Sequence, residues 1–218
     1  MKRISLISII LLLLVFTIAC EGKKDNNRNQ GPALSSLSND ELIERGWRSF
    51  SNNNFKDAED CFDELTKREN VHVLGHHGLG WVFFRTFQYR NAQIQFLRAV
   101  SDPTNPIAGP LLTENRAGRV LVYHTLGEHQ TAFDISQTGG FITTNRNWRF
   151  THDNRICSID VRLARAMSLI ALGRYSDSLI TIRNIDPTFT FDETTLNTVE
   201  GRLRFHERVE EMLLARRR

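Results

Sequence analysis

Residues 4–16 form an almost unbroken apolar run, interrupted only by Ser5 and Ser8 and preceded by the basic pair Lys2 and Arg3. Thr17, Ile18 and Ala19 close the run before Cys20. A basic start, a short apolar stretch and a small-residue cleavage site make a secretory signal over residues 1–19. The run is too short, and its flanks are wrong, for an ordinary membrane span. Residues 21–32 contain no apolar side chain and are rich in Asn, so residues 20–37 read as a flexible tether. From Ser38 the pattern changes, and apolar positions recur at helical spacing. Ser38-x-x-Glu41 is a capping box that opens the first helix.

The helical part repeats itself. Gly46, Trp47, Phe50, Phe55, Ala58, Phe62 and Leu65 are echoed at the same offsets by Gly80, Trp81, Phe84, Tyr89, Ala92, Phe96 and Ala99, a period of 34 residues. Asp102-Pro103 ends the second copy, because Pro stops a helix. A weaker third copy runs through Tyr123, Gly127 and Ala132, with Val120 in place of the small residue and Ser136 in place of the aromatic. A fourth runs through Ala166, Leu169, Gly173, Tyr175, Ser178, Ile182 and Ile185 and closes at Asp186-Pro187. Beyond Pro187, residues 192–215 carry Leu196, Val199, Leu203, Val209, Met212 and Leu213 at helical spacing. Such a segment suits the end helix that covers the last apolar face of a solenoid. Arg216, Arg217 and Arg218 complement the negative end of its dipole.

This period and these anchor residues resemble the tetratricopeptide repeat family, whose unit is two helices joined by a turn. The second copy, with Leu79-Gly80, Phe83, Tyr89 and Ala92, is the closest to the family pattern, and Leu172-Gly173-Arg174-Tyr175 resembles its inter-helix turn. The resemblance covers residues 38–187 and implies an all-α, TPR-like helical solenoid of about four helix-turn-helix repeats. Residues 188–218 then form the C-terminal capping helix. Cys20 resembles the lipobox cysteine of bacterial lipoproteins, with Thr17 where Leu is usual. That resemblance implies cleavage before Cys20, acylation of its thiol and membrane attachment through the lipid. The residue after Cys20 is Glu rather than Asp, which in that family goes with export to an outer membrane. Helical-repeat lipoproteins of outer-membrane protein assembly and pilotin-type lipoproteins share this general architecture.

One segment breaks the pattern. Residues 139–157 are long for a connection between helices. Phe141 to Thr144 and Trp148 to Thr151 are β-prone, with Asn145 to Asn147 between them, so a small β-hairpin insertion is expected there. It either packs its aromatics on the helices or carries a function through Trp148, Phe150, His152 and Asp153.

Composition changes this picture little. The 218 residues are 40% hydrophobic and 24% charged, which excludes wholesale disorder. The net charge of +3 falls to +1 once the leader takes Lys2 and Arg3 with it, so no nucleic-acid partner is expected. Three Cys are too few for a disulfide-dense scaffold; Cys61 and Cys157, two repeats apart, are expected as thiols. There is no phosphate-binding glycine loop, nucleophile elbow or paired-Cys zinc motif, and no cofactor or metal is expected. His72 and His76 share a helical face but lack the intervening Glu of a metalloprotease. His152-Asp153 has the form of a base and its orienter.

Laid on the family pattern, the concave groove is lined by Ile43, Trp47 and Phe50, then His77, Trp81, Phe84 and Arg85, then Glu114, Leu121 and His124, then Asp160, Leu163 and Met167. Trp, Phe, Met and Arg are enriched at binding surfaces, and an apolar groove with a few charges suits a peptide or an amphipathic helix. The function expected is an interaction scaffold for a protein or peptide partner in the bacterial cell envelope, and not an enzyme. Two alternatives stand beside it. One is an envelope enzyme or small-molecule binder using the insertion. The other is a structural lipoprotein whose groove is filled by its own tether, hairpin or end helix. The anchor has a direct test: Cys20→Ala should release the protein from the membrane fraction, and continued sedimentation with membranes would contradict lipidation.

Overall fold

Four times along the chain a helix ends, passes through one residue of positive φ, and a second helix packs back on the first. The turning residues are Asn53 (φ 60°), Phe87 (62°), Gly127 (77°) and Gly173 (74°). In every case the next amide reaches back across the helix end: Asn54 to the Ser49 carbonyl (2.8 Å), Gln88 to Phe83 (2.8 Å), Glu128 to Tyr123 (2.9 Å) and Arg174 to Leu169 (2.8 Å). This is the Schellman closure, which satisfies carbonyls left open at a helix C-terminus. Four residues on, the amides of Ala58, Ala92, Ala132 and Ser178 start the second helix by donating to the carbonyls of Asn54, Gln88, Glu128 and Arg174. Glycine enters the left-handed region freely, whereas a side chain there costs about 1 kcal/mol. Phe87 sits in that conformation with its ring 77% exposed.

The computed structural model describes residues 33–141 and 146–216, and Leu34–Arg218 forms one compact unit. Cys20, residues 21–32 of the tether, residues 142–145 of the expected first strand, and Arg217 and Arg218 lie outside the described residues. The helix pairs are α1 (Asn39–Ser51) with α2 (Phe55–Thr66), α3 (His72–Arg85) with α4 (Tyr89–Ser101), α5 (Gly109–Thr125) with α6 (His129–Thr138), and α7 (Ser158–Ala171) with α8 (Tyr175–Ile185). They are followed by α9 (Val199–Arg216). The first helices α1, α3, α5 and α7 contact one another in turn and make an inner layer, and each second helix also packs on the next pair's first helix. The chain is therefore mostly helical, with packed neighbouring helices, as in an all-α helical repeat. No helix of the described residues is long and apolar enough to cross a membrane.

Two phenylalanines set how closely the layers approach. A Cβ on Gly46 would come within 2.8 Å of the Phe62 ring, and one on Gly78 of the next pair within 2.4 Å of the same ring. Phe96 is held alike, by Gly80 at 2.5 Å and Gly118 at 2.4 Å. Each ring lies between a glycine of its own pair and one of the next, both on inner helices. Repeat three departs from this. Ser136 replaces the ring; it is buried, donates to the Phe133 carbonyl at 2.6 Å and accepts from Arg165 at 2.9 Å.

Three expectations need correction. The tether, drawn to residue 37, gives way earlier. Leu34–Ser36 is a 3-10 turn, Leu34 and Leu37 pack on the core, and Arg68 donates to the carbonyls of Leu37 (2.7 Å) and Leu34 (3.2 Å). The end helix is not continuous: a 3-10 turn, Glu193–Asn197, precedes α9, because the Asp192 carboxylate accepts the Thr194 amide at 3.0 Å and the Thr198 hydroxyl accepts the Gly201 amide at 3.0 Å. Phe205 and Val209, with Phe189 and Leu196, pack against Leu163, Leu179 and Ile182, while Val199 and Leu203 are exposed. The hairpin is also shifted along the chain. β1 (Arg149–Phe150) pairs antiparallel with β2 (Asp153–Cys157), and residues 142–145 of the expected first strand lie outside the described residues. β2 starts with three polar residues that β-propensity does not mark, and an ion pair to a helix holds it. The Ser38–Glu41 box forms as read, with the Glu41 amide 3.3 Å from the Ser38 hydroxyl and the Ser38 amide 2.8 Å from the Glu41 carboxylate.

Gly118→Ala tests the ring clamp. It should lower stability by about 1–3 kcal/mol through overpacking, against a helix-propensity gain of up to about 1 kcal/mol. Thermal unfolding at neutral pH would show this as a lower Tm, and a raised Tm would mean that the Phe96 ring can move aside.

Candidate functional site

The inner helices bring several of the expected groove residues together, and the insertion lies across them. Helix α1 presents Trp47 and Phe50 one turn apart, and α3 presents His77, Trp81, Phe84 and Arg85. The hairpin tip enters between them. Phe150 lies over Trp81, centroids 4.1 Å apart and planes 21° apart. His152 lies flat on Trp47, at 3.8 Å and 3°. Edge contacts from Trp47 to Phe50, Phe62 and His77 extend the ring cluster into the core. Phe50, Trp81 and Phe150 are at most 1% exposed, so the face drawn as an open groove is closed here by the chain itself. Alternation along β1 turns Phe150 inward and leaves Arg149 outside.

Polar contacts complete the attachment. Arg85 forms an ion pair with the buried Asp153 and donates to Asn53 Oδ1 at 3.1 Å. Arg155 closes on the same carboxylate, Nε to Oδ1 2.8 Å and Nη2 to Oδ2 3.1 Å. Burial, and then the nearby Arg155, lower the Arg85 pKa. The Thr151 hydroxyl donates to Glu114 Oε1 at 2.9 Å, and the Ser51 hydroxyl to the His152 carbonyl at 3.1 Å. Glu114 Oε2 is 3.4 Å from Nε2 of His77, whose complete burial pushes its pKa down against the pull of that carboxylate. His77 Nδ1 and Trp81 Nε1 have no hydrogen-bond partner within the described structure. At the base of the insertion Arg162 donates to the Asn184 carbonyl at 3.0 Å and the Arg146 carbonyl at 3.3 Å, tying the loop to α7 and α8.

The remaining expected residues lie apart from this cluster. His124 is half-buried with Nδ1 3.0 Å from the Ser168 hydroxyl, and burial, helped by His129, pushes its pKa down to about 4. Met167 belongs to the second core cluster, with Leu163 and Ile170. Trp148 packs edge-on to Phe141 rather than into the groove. The proposed base and orienter are not arranged as such, because the Asp153 carboxylate is taken up by two guanidinium groups. Shallow clefts do flank His152, one bordered by Ile43 and Trp47, the other by Arg85 and Arg155. His72 pairs with Asp102 and His76 Nδ1 lies 2.8 Å from Gln95 Oε1, so the histidines of α3 are engaged separately. Among the described residues no group of three or more His, Cys, Asp or Glu could hold a metal ion. Sequence reasoning missed Thr151, Asn53 and Arg155 as members of the site. Arg155 alone carried a signal, an opposite charge two residues from Asp153 on a strand.

Burial lowers the pKa of His76, His77, His124 and His152. Each of these groups is harder to protonate in the folded chain than in the unfolded one, where a histidine takes up its proton near about pH 6.5. Stability should therefore be level above that pH and fall as pH drops towards about 4, where His124 itself charges. Urea unfolding at neutral and mildly acidic pH checks this, and His124→Gln should make the fall shallower. An identical fall in that variant would exclude His124 as a source. No family model, curated protein or solved structure matches the chain.

Proposed function

We propose that this chain is a tetratricopeptide-repeat lipoprotein, anchored through Cys20 in the bacterial cell envelope, with the outer membrane favoured, and that it works as a protein–protein interaction scaffold. The anchoring rests on the sequence of residues 1–20. The repeat assignment is supported by the 34-residue echo and by four inter-helix turns of one geometry, with Asn53, Phe87, Gly127 and Gly173 at the turning position.

The observation that carries the binding reading is the seating of Phe150 and Asp153 on Trp81 and Arg85. Ring stacking and a guanidinium–carboxylate pair on the inner face of a helix stack are the contacts by which such a face would hold a partner. The unpaired buried His77 Nδ1 and Trp81 Nε1 point the same way, because each costs about 1–3 kcal/mol in a core built for stability alone. A second reading, a structural lipoprotein with a self-filled groove, is favoured by the 1% exposure of Phe150. The enzyme alternative loses His152–Asp153 as its base and orienter, because the Asp153 carboxylate pairs with Arg85 and Arg155.

Photo-cross-linking in the native host separates the two leading readings. A cross-linker at Ser51, beside the hairpin tip, should trap a defined protein that one at Lys56, on the exposed side of α2, does not. Equal trapping from both positions, or none from Ser51, would favour the structural reading.

A further inference from the structure

Four consecutive residues of the hairpin tip each have a separate receptor on the inner layer. Phe150 lies on the face of Trp81. Thr151 donates to Glu114 at 2.9 Å. His152 lies on the face of Trp47. Asp153 pairs with Arg85, which Asn53 steadies. Phe150 and Asp153 are paired in register across Thr151 and His152, so the object held is a tight turn and not a straight strand. The receptors come from three inner helices, α1, α3 and α5, and the ligand comes from the one long insertion in the repeat.

We infer that this inner face is a turn-recognition site: it accepts from a partner protein a surface turn of the form aromatic–hydroxyl–ring–carboxylate, and residues 150–153 hold its place until it arrives. The inference rests on the scaffold reading above and names the chemistry of its partner. Charge complementarity fixes the carboxylate. Withdrawing the tip takes Asp153 from Arg85, a guanidinium whose pKa burial already lowers. An apolar or basic turn would leave this guanidinium unpaired, so the site discriminates against it as well as for an acid. The hydroxyl position is set likewise by Glu114, whose Oε1 accepts the hydrogen bond of the Thr151 hydroxyl. The hairpin competes from within the same chain, so a partner must displace a segment at high effective concentration. Occupancy is therefore low unless the partner's turn fits better or is also held elsewhere.

The test uses the full chain and a fluorescent head-to-tail cyclic peptide with the sequence of residues 147–155. A variant with its own tip removed, Phe150→Ser, His152→Ser and Asp153→Ser together, should bind this peptide saturably. Binding should be about tenfold or more tighter than to the unaltered chain, since truncating buried anchors of this kind releases that much competition. Replacing the aromatic or the acid of the peptide by Ala should weaken binding by a similar factor. A variant with native far-UV dichroism that fails to bind, or that binds a scrambled cyclic peptide equally well, overturns the inference. Should the variant not fold, the unaltered chain decides: excess peptide must speed hydrogen exchange at the amides of residues 149–157, and no change there also overturns it. Peptide-induced dimers would assign the site to a second copy of this chain and overturn the partner-protein form. If a partner is still trapped from Ser51 in the native host while the peptide fails, the scaffold reading stands and only the turn chemistry falls.

Discussion

The whole stack depends on how closely one inner helix can approach the next, and that distance is set by two rings seated between glycines. Phe62 lies against Gly46 and Gly78, and Phe96 against Gly80 and Gly118, where even a methyl carbon would stand 2.4–2.8 Å away. Interiors are packed as densely as organic crystals, so such a gap cannot be widened locally without moving a helix. The same approach brings Trp47 on α1 within ring-contact distance of His77 on α3, centroids 5.9 Å apart. The clamp rings also touch the aromatic floor beneath the hairpin, Phe62 against Trp47 with centroids 4.7 Å apart and Phe96 against Trp81 at 5.4 Å.

Where the ring is absent, the packing changes character. Ser136 stands at the equivalent place in the third pair, and a polar network with Arg165 replaces the wedge. Arg165 and Arg174 sit over the Phe133 ring at 4.5 and 4.3 Å, so cation–π contacts join the third and fourth pairs. The apolar core divides accordingly. One cluster runs from α1 to the start of α7 and takes in the hairpin, and a second joins α7, α8 and α9.

Much of the helical frame was legible in the sequence because it is written in local patterns: a capping box at Ser38, small residues at Ala58, Ala92 and Ala132, and Gly at 127 and 173. The groove residues on α1 and α3 came from the family pattern laid on the sequence, which groups Trp47 with Phe50 and Trp81 with Arg85. What covers them was not, because that depends on contacts about 70 residues apart in the chain, such as Arg85 with Asp153. The hairpin register was misplaced for a related reason. β-propensity favours the apolar stretch from Phe141, but Asp153, Asn154 and Arg155 are held in β2 by the ion pair and by pairing with Arg149 and Phe150. His124 and Met167 were read as groove residues from repeat position, whereas the one meets Ser168 and the other joins the second core.

Successive turning residues are 34, 40 and 46 positions apart, yet the turn inside each helix pair has the same closure every time. The extra length lies outside these turns: the second joint, 102–108, is two residues longer than the first, 67–71, α4 and α5 are one and three residues longer than α2 and α3, and the third joint, 139–157, holds the hairpin. A one-residue turn locked at both sides by backbone hydrogen bonds admits no insertion without unzipping two helix ends, whereas a joint touches solvent and can lengthen freely. The architecture so separates a part that must keep its grammar from a part that can acquire new words. The segment that lies in the inner face belongs to such a joint, between the third and fourth helix pairs.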